Sequence, residues 1–202
     1  GGSAEAKDES MDARKAVLKL IIYICIKKGQ IETLTDVCGM LLETCTEKDM
    51  DAMYLLIRTY LFTCDYPTVS SLLAKVKKGL TSGKAGQLSS LPSRYRLHRA
   101  LLLTALCDFE AAIEEFETIS KKEPLYVLAA NNQAVCLVNL GRVSEAIKLL
   151  EGVIEEIPCS VLEEGMIFNL KSLYDVHFPT RCDQLKGALS KRVVAYAQTL
   201  LG

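Results

Sequence analysis

The 202-residue chain has no tryptophan, two histidines and five prolines, and none of its eight cysteines forms a C-x-x-C pair. Zinc needs ligands clustered at short spacings, and His98 and His177 are far apart, so no metal site and no cofactor are expected. Most of Cys25, Cys38, Cys45, Cys64, Cys107, Cys136, Cys159 and Cys182 sit among apolar neighbours, where cysteine acts as a small buried hydrophobe. On a helix Cys38 and Cys45 would lie about 10 Å apart, too far for a disulfide. This usage fits a reducing, cytosolic compartment. Charge of one sign is also lacking. The 24 basic residues are matched by 25 acidic ones, which argues against a nucleic-acid module. A hydrophobic fraction of 50% excludes a chain disordered by composition.

Long apolar runs are missing as well. The longest, Leu20 to Ile26, is closed by Lys27 and Lys28 and falls far short of the roughly 20 residues that span a bilayer. No small-residue cleavage site follows it, so it is not a signal peptide. No direct membrane insertion is expected. The opening Gly1-Gly2-Ser3 reads as an added scar, residues 1–10 as a disordered leader, and the chain as a fragment of something longer. The mean hydropathy of +0.18 is high for a soluble chain, and points to surface meant to be covered.

What the chain does have is a repeat. At a spacing of 34, Ala100 matches Ala134, Leu103 matches Leu137, Cys107 matches Gly141, and Phe109 matches Val143. The series continues with Ala112 and Ala146, Ile113 and Ile147, Phe116 and Leu150, and Pro124 and Pro158. Earlier, Tyr60, Cys64, Tyr66 and Leu73 precede Leu103, Cys107, Phe109 and Phe116 by 43, one repeat plus nine. The surplus falls in a Gly- and Ser-rich connector at 79–92. Cys25, Gly29, Ile31 and Cys38 precede the second set by 35. Each unit reads as two helices of about 13 residues with apolar positions at helical spacing, and Pro67 opens a second helix. No alternating strand pattern occurs, so the chain is expected to be all-α.

These columns resemble the tetratricopeptide (TPR) family, whose repeat is 34 residues with two small-residue columns and a closing proline. The resemblance implies a TPR-type α-solenoid, a right-handed superhelix of antiparallel helix pairs, over residues 11–202. Repeats are expected at about 15–48, 50–83, 93–126 and 127–160, with a capping helix pair at 161–202. The first-helix column where the family favours tryptophan holds Leu18, Met53, Arg96 and Ala130, so the repeats depart from consensus. A narrower likeness lies in Asn131-Asn132-Gln133-Ala134-Val135-Cys136-Leu137, in Leu140-Gly141-Arg142, in Phe168-Asn169-Leu170 and in Leu173-Tyr174-Asp175. This resembles the C-terminal TPR region of the subunit 12 family of the TRAPP (transport protein particle) tethering complex. It implies a non-catalytic scaffold in ER–Golgi trafficking and autophagy, whose partners are protein subunits of a larger complex. It also implies a cytoplasmic protein, peripheral at the ER–Golgi intermediate compartment or the Golgi. The alternative is a free adaptor that binds a peptide segment in its concave groove, coat- or chaperone-associated.

Constellations for chemistry are weak. Gly79 to Ala85 has three residues between its glycines and Ala85 where a phosphate loop needs Ser or Thr. Neither His98 nor His177 sits in a pattern for nucleophilic catalysis, so no enzyme and no small-molecule substrate are expected. Glu114, Glu115 and Glu117 read as a solvated helix face, and Arg94, Arg96, His98 and Arg99 as a local basic cluster. In the TPR family first helices line the groove. That places Tyr54, Arg58, Phe62, Arg94, Leu97, His98, Leu101, Asn131, Asn132, Val135, Val138 and Asn139 as candidate partner-binding residues. The columns that would form a carboxylate clamp hold Lys19, Tyr23, Leu55, Arg94 and His98, without the clamp's asparagines, which argues against a chaperone-tail receptor.

Overall fold

A computed structural model describes residues 2–46, 49–81, 91–123 and 126–201, with side chains from 9 to 200. Pro124 and positions 82–90 of the 79–92 connector lie outside the described residues. Among the described residues every regular element is helical: α1 (Gly2–Lys28), α2 (Ile31–Thr44), α3 (Met50–Phe62), α4 (Tyr66–Thr81), α5 (Ser93–Ala105), α6 (Phe109–Lys122), α7 (Val127–Asn139), α8 (Val143–Glu156), α9 (Glu164–His177) and α10 (Cys182–Leu201). A 3-10 segment, Pro158–Leu162, lies between α8 and α9. The all-α, TPR-type reading therefore holds. Helix α1 begins at Gly2, across the positions read from sequence as a leader. Pro67 is the second residue of α4 rather than the first, still within the first turn, where its missing N–H leaves no bond unmade.

The chain divides into two compact units, Gly1–Leu91 and Pro92–Gly202. In the first, α1 pairs with α2 and α3 with α4. In the second, α5 to α8 pack in sequence, each on the next, and α9, α10 and the 3-10 segment close the array. Every pair from α1 to α8 is joined by the same turn. Gly29, Cys64, Cys107 and Gly141 have φ of +66°, +60°, +62° and +73°. The N–H of each donates three residues back, as from Cys107 to the Thr104 carbonyl, and the next N–H donates five back, as from Asp108 to the Leu103 carbonyl. This double bond pattern satisfies the last carbonyls of the first helix and reverses the chain within two residues. Two second helices then start on a carboxylate. Asp65 accepts from the Thr68 N–H at 3.2 Å and Asp108 from the Ala111 N–H at 3.4 Å.

The small-residue columns explain the close approach within the second unit. Ala100, Ala112, Ala134 and Ala146 are all fully buried, and the larger columns fill the space around them with Ile113, Phe116, Ile147 and Leu150. In the first unit the equivalent positions hold Ile22, Ile57, Leu34 and Val69, equally buried. The same core is built there from larger side chains.

One buried pair is not apolar. Arg96 and Glu115 are 6% and 7% exposed, and Arg96 Nη1 donates to Glu115 Oε2 at 2.8 Å. The half-buried Arg99 donates to the other carboxylate oxygen. Glu115 is thus not part of a solvated face. It stands three residues after Ala112 and four before Ile119, on the buried stripe of α6, whereas Glu114 is exposed. The repeat spacing puts Leu18 and Val37, Met53 and Leu72, and Ala130 and Leu149 at the positions of Arg96 and Glu115. A charge-assisted pair replaces an apolar one in the third repeat alone.

Candidate protein-binding site

The groove candidates separate by burial. In the first unit Tyr54 is buried in α3, while Arg58 and Phe62 are exposed one turn apart. On α1, Leu20 and Tyr23 are also exposed, and Lys27 lies over the Tyr23 ring at 5.7 Å. In the second unit Leu97 and His98 belong to the core, with His98 3% exposed and its Nδ1–H donating to the Arg94 carbonyl at 2.6 Å. A buried imidazole anchored on its own helix offers no surface to a partner. Arg94 is exposed and Leu101 half-buried.

The candidates on α7 come together with α9, which holds three residues that were not among the groove candidates. Leu128, Asn132, Val135 and Asn139 form one stripe at helical spacing along α7. Beside it, Ala134, Val135, Val138 and Asn139 of α7 and Asn169, Ser172 and Leu173 of α9 line a pocket of about 140 Å³. No charged side chain lines it, and α7 carries none over its whole length. The two helices are tied above it, where Asn169 Nδ2 donates to Asn131 Oδ1 at 2.9 Å. Phe168 and Val176 on the outer face of α9 are 70% and 74% exposed.

Three side chains at this site each donate to a carbonyl one turn back on their own helix. Asn132 Nδ2 donates to the Leu128 carbonyl and Asn139 Nδ2 to the Val135 carbonyl, both at 2.9 Å. Ser172 Oγ donates to the Phe168 carbonyl at 2.9 Å. Only an N–H or O–H can meet a carbonyl, so the side-chain oxygens of Asn139 and Ser172 are left as acceptors, beside the second N–H of the Asn139 amide. Thr104 Oγ1 and Cys136 Sγ, 3.4 Å apart, join α5 to α7 beneath this face.

Behind α9, the buried Tyr174 donates from Oη to Glu151 Oε1 of α8 at 2.7 Å. Burial and that carboxylate push the Tyr174 phenol well above its ordinary value. His177 at the end of α9 meets Ser144 Oγ at 3.0 Å on the surface, with no carboxylate bonded to its ring among the described residues. No group of three or more metal-ligating side chains occurs among the described residues, and no described helix is long and apolar enough to cross a membrane.

Known proteins resemble this chain in two ways, in sequence and in fold. The chain is 31% identical over 99 residues to mouse trafficking protein particle complex subunit 12 and 32% identical over 97 residues to the human protein. These matches take in 49% and 48% of the chain but 12% and 13% of the relatives, so the chain spans a small part of their length. No family model matches the chain. Among solved structures, a Podosopora anserina protein of kinesin-light-chain type with nearly identical TPR-like repeats aligns over 94% of this chain and 97% of its own, at a TM-score of 0.64 and 18% identity. Pseudomonas aeruginosa pilF aligns over 89% of this chain and 76% of its own, at a TM-score of 0.61 and 13% identity. The chain has the fold of TPR-repeat proteins and resembles TRAPP subunit 12.

Proposed function

We propose that the chain is a non-catalytic interaction scaffold that works as a subunit of a vesicle-tethering complex of the TRAPP type, in ER–Golgi trafficking and autophagy. It acts in the cytoplasm and at the surface of the Golgi or the ER–Golgi intermediate compartment. The likeness to trafficking protein particle complex subunit 12 over half the chain carries this reading. The helix-pair fold supports it in general terms, since stacked pairs present long faces while each repeat spends its own core on its neighbours. The exposed apolar residues on the first helices supply the area that association needs: Leu20, Tyr23 and Phe62 in one unit, Leu128, Phe168 and Val176 in the other.

Affinity purification of the tagged full-length protein from its own cells, followed by quantitative mass spectrometry, tests the reading. Tethering-complex subunits should appear in stoichiometric amounts, and loss of the protein should slow secretory cargo. Recovery of a folded bait without any such subunit would overturn it. A free adaptor is the second reading, favoured by the α7–α9 pocket, which is of a size to receive one side chain of a peptide. Stoichiometric recovery of a single unrelated partner would favour that reading.

A further inference from the structure

We propose that the outward face of α1 is an interface with a second copy of this chain, in which the two α1 helices pair antiparallel about a two-fold axis. The inference goes beyond the scaffold reading and assigns one exposed face of the first unit to self-association.

Helix α1 carries two apolar stripes. Leu18, Ile22 and Cys25 are buried in the core of the first unit. Ala13, Val17, Leu20 and Ile24 lie on the opposite side and are exposed, Val17 and Leu20 by 56% and 60%. They follow one another by four, three and four residues, the alternation of a coiled-coil seam, and Ser10 and Lys27 continue it by three at either end. A surface helix of a globular unit needs only the inward stripe and turns polar residues to the solvent. Here the polar residues, among them Asp12, Arg14 and Lys19, stand at the flanks between the two stripes.

The outward seam is complementary to itself in one direction only. In antiparallel pairing Val17 meets the second copy's Leu20 and Ala13 meets its Ile24, the smaller residue against the larger, and the two-fold axis repeats both contacts. The exposed Lys27 then meets the small Ser10, and the Lys27–Lys28 end of each helix lies by the end that carries the exposed Glu9. Parallel pairing in register would set Lys27 on Lys27 within the seam and Ala13 on Ala13 across a gap, so charge and volume both oppose it. Tyr23, beside the seam with Lys27 over its ring, widens the apolar contact. A partner of another sequence would not require α1 to supply both halves of every contact. A second copy does.

Sedimentation velocity of the 202-residue chain between roughly 5 and 500 µM tests the proposal. It should show a reversible monomer–dimer equilibrium, half complete at roughly tens of micromolar, as suits a small interface. Leu20→Glu, at an exposed position, should leave helical circular dichroism and the melting temperature unchanged. It should weaken dimerisation by at least about tenfold, because pairing would bury two carboxylates. Direction is read by oxidative cross-linking of the Ala13→Cys and Ile24→Cys proteins, with linked peptides identified by mass spectrometry. The two mixed should join position 13 to position 24, and neither alone should join 13 to 13 or 24 to 24. A chain monomeric over the whole range, a dimer indifferent to Leu20→Glu, or links between like positions would overturn the proposal. So would a full-length protein from which Leu20→Glu releases a different subunit but no second tagged copy. Failure here leaves membership of a tethering complex standing, and failure of the purification leaves the α1 pairing standing.

Discussion

Replacing Cys107 by glycine should stabilise the second unit, although it removes a side chain and adds chain entropy. Cys107 holds φ at +62°, in the left-handed region where an L side chain crowds its own carbonyl at roughly 1–2 kcal/mol. Glycine carries no such penalty, but makes the unfolded chain more flexible, at about 0.4–1 kcal/mol. The difference leaves a gain of about 0.5–1 kcal/mol. The thiol forgoes little in exchange, because Cys107 is exposed. Its counterpart Gly141, at φ +73°, has nothing within 4 Å of where a Cβ would stand, so Gly141→Ala isolates the backbone cost without a clash. That variant should lose about 1 kcal/mol. Urea unfolding followed by far-ultraviolet circular dichroism reads both, with Cys107→Ala as the control for losing the thiol alone. The alanine variant should sit close to the parent. A Cys107→Gly protein less stable than the parent, or a Gly141→Ala protein of unchanged stability, would refute the claim that these turns are held in the left-handed region.

Glu115→Ala should cost about 3–5 kcal/mol, since it leaves the buried Arg96 without its carboxylate, whereas Arg96→Met with Glu115→Leu should recover most of that loss. Chemical denaturation of both variants checks this, and failure of the double variant to recover would place the interaction elsewhere. At Asp49 the Thr46 backbone N–H, with help from Lys15, holds the carboxyl below its ordinary 3.8. A carboxyl lowered in the folded state adds stability that is present above the unfolded value and vanishes as pH falls through the folded one. The first unit should therefore weaken below about pH 4, and Asp49→Asn should remove that part of the acid dependence in a pH series of melting curves. In thiol labelling of the native protein, the exposed Cys64, Cys107 and Cys159 should react first, and Cys38, which burial pushes up to about 11, should react only on unfolding. Mass spectrometry of the early products decides it.

The second unit was legible because its alanines, Ala100, Ala112, Ala134 and Ala146, mark the close helix contacts with residues that stand out in sequence. The first unit uses Ile22, Ile57, Leu34 and Val69 at the same places, and ordinary core residues carry no signature, so the repeat fades there although the helices do not. The turn column was visible as Gly29, Cys64, Cys107 and Gly141, but its left-handed backbone was not, because cysteine does not announce it. Glu115 was misread since a carboxylate on a buried stripe is intelligible only beside the arginine that reaches it from another helix. At the pocket, Val135, Val138 and Asn139 followed from the repeat. Asn169, Ser172 and Leu173 did not, because the 3-10 segment Pro158–Leu162 shifts α9 away from the 34-residue spacing, and Asn131 meets Asn169 at 38.

A chain of like hairpins must also choose its neighbours correctly, since nearly equivalent apolar faces can pair out of turn. The Arg96–Glu115 pair acts on that choice. If α5 docked on α8 in the manner it docks on α6, Arg96 would face Leu149, and a buried guanidinium without a carboxylate costs several kcal/mol. Helix α6 docked on α7 as though α7 were α5 would set Glu115 against Ala130, with the same result. A buried pair that adds little to the depth of the native state thereby raises the energy of its misassembled competitors, and marks the third hairpin among its near-copies.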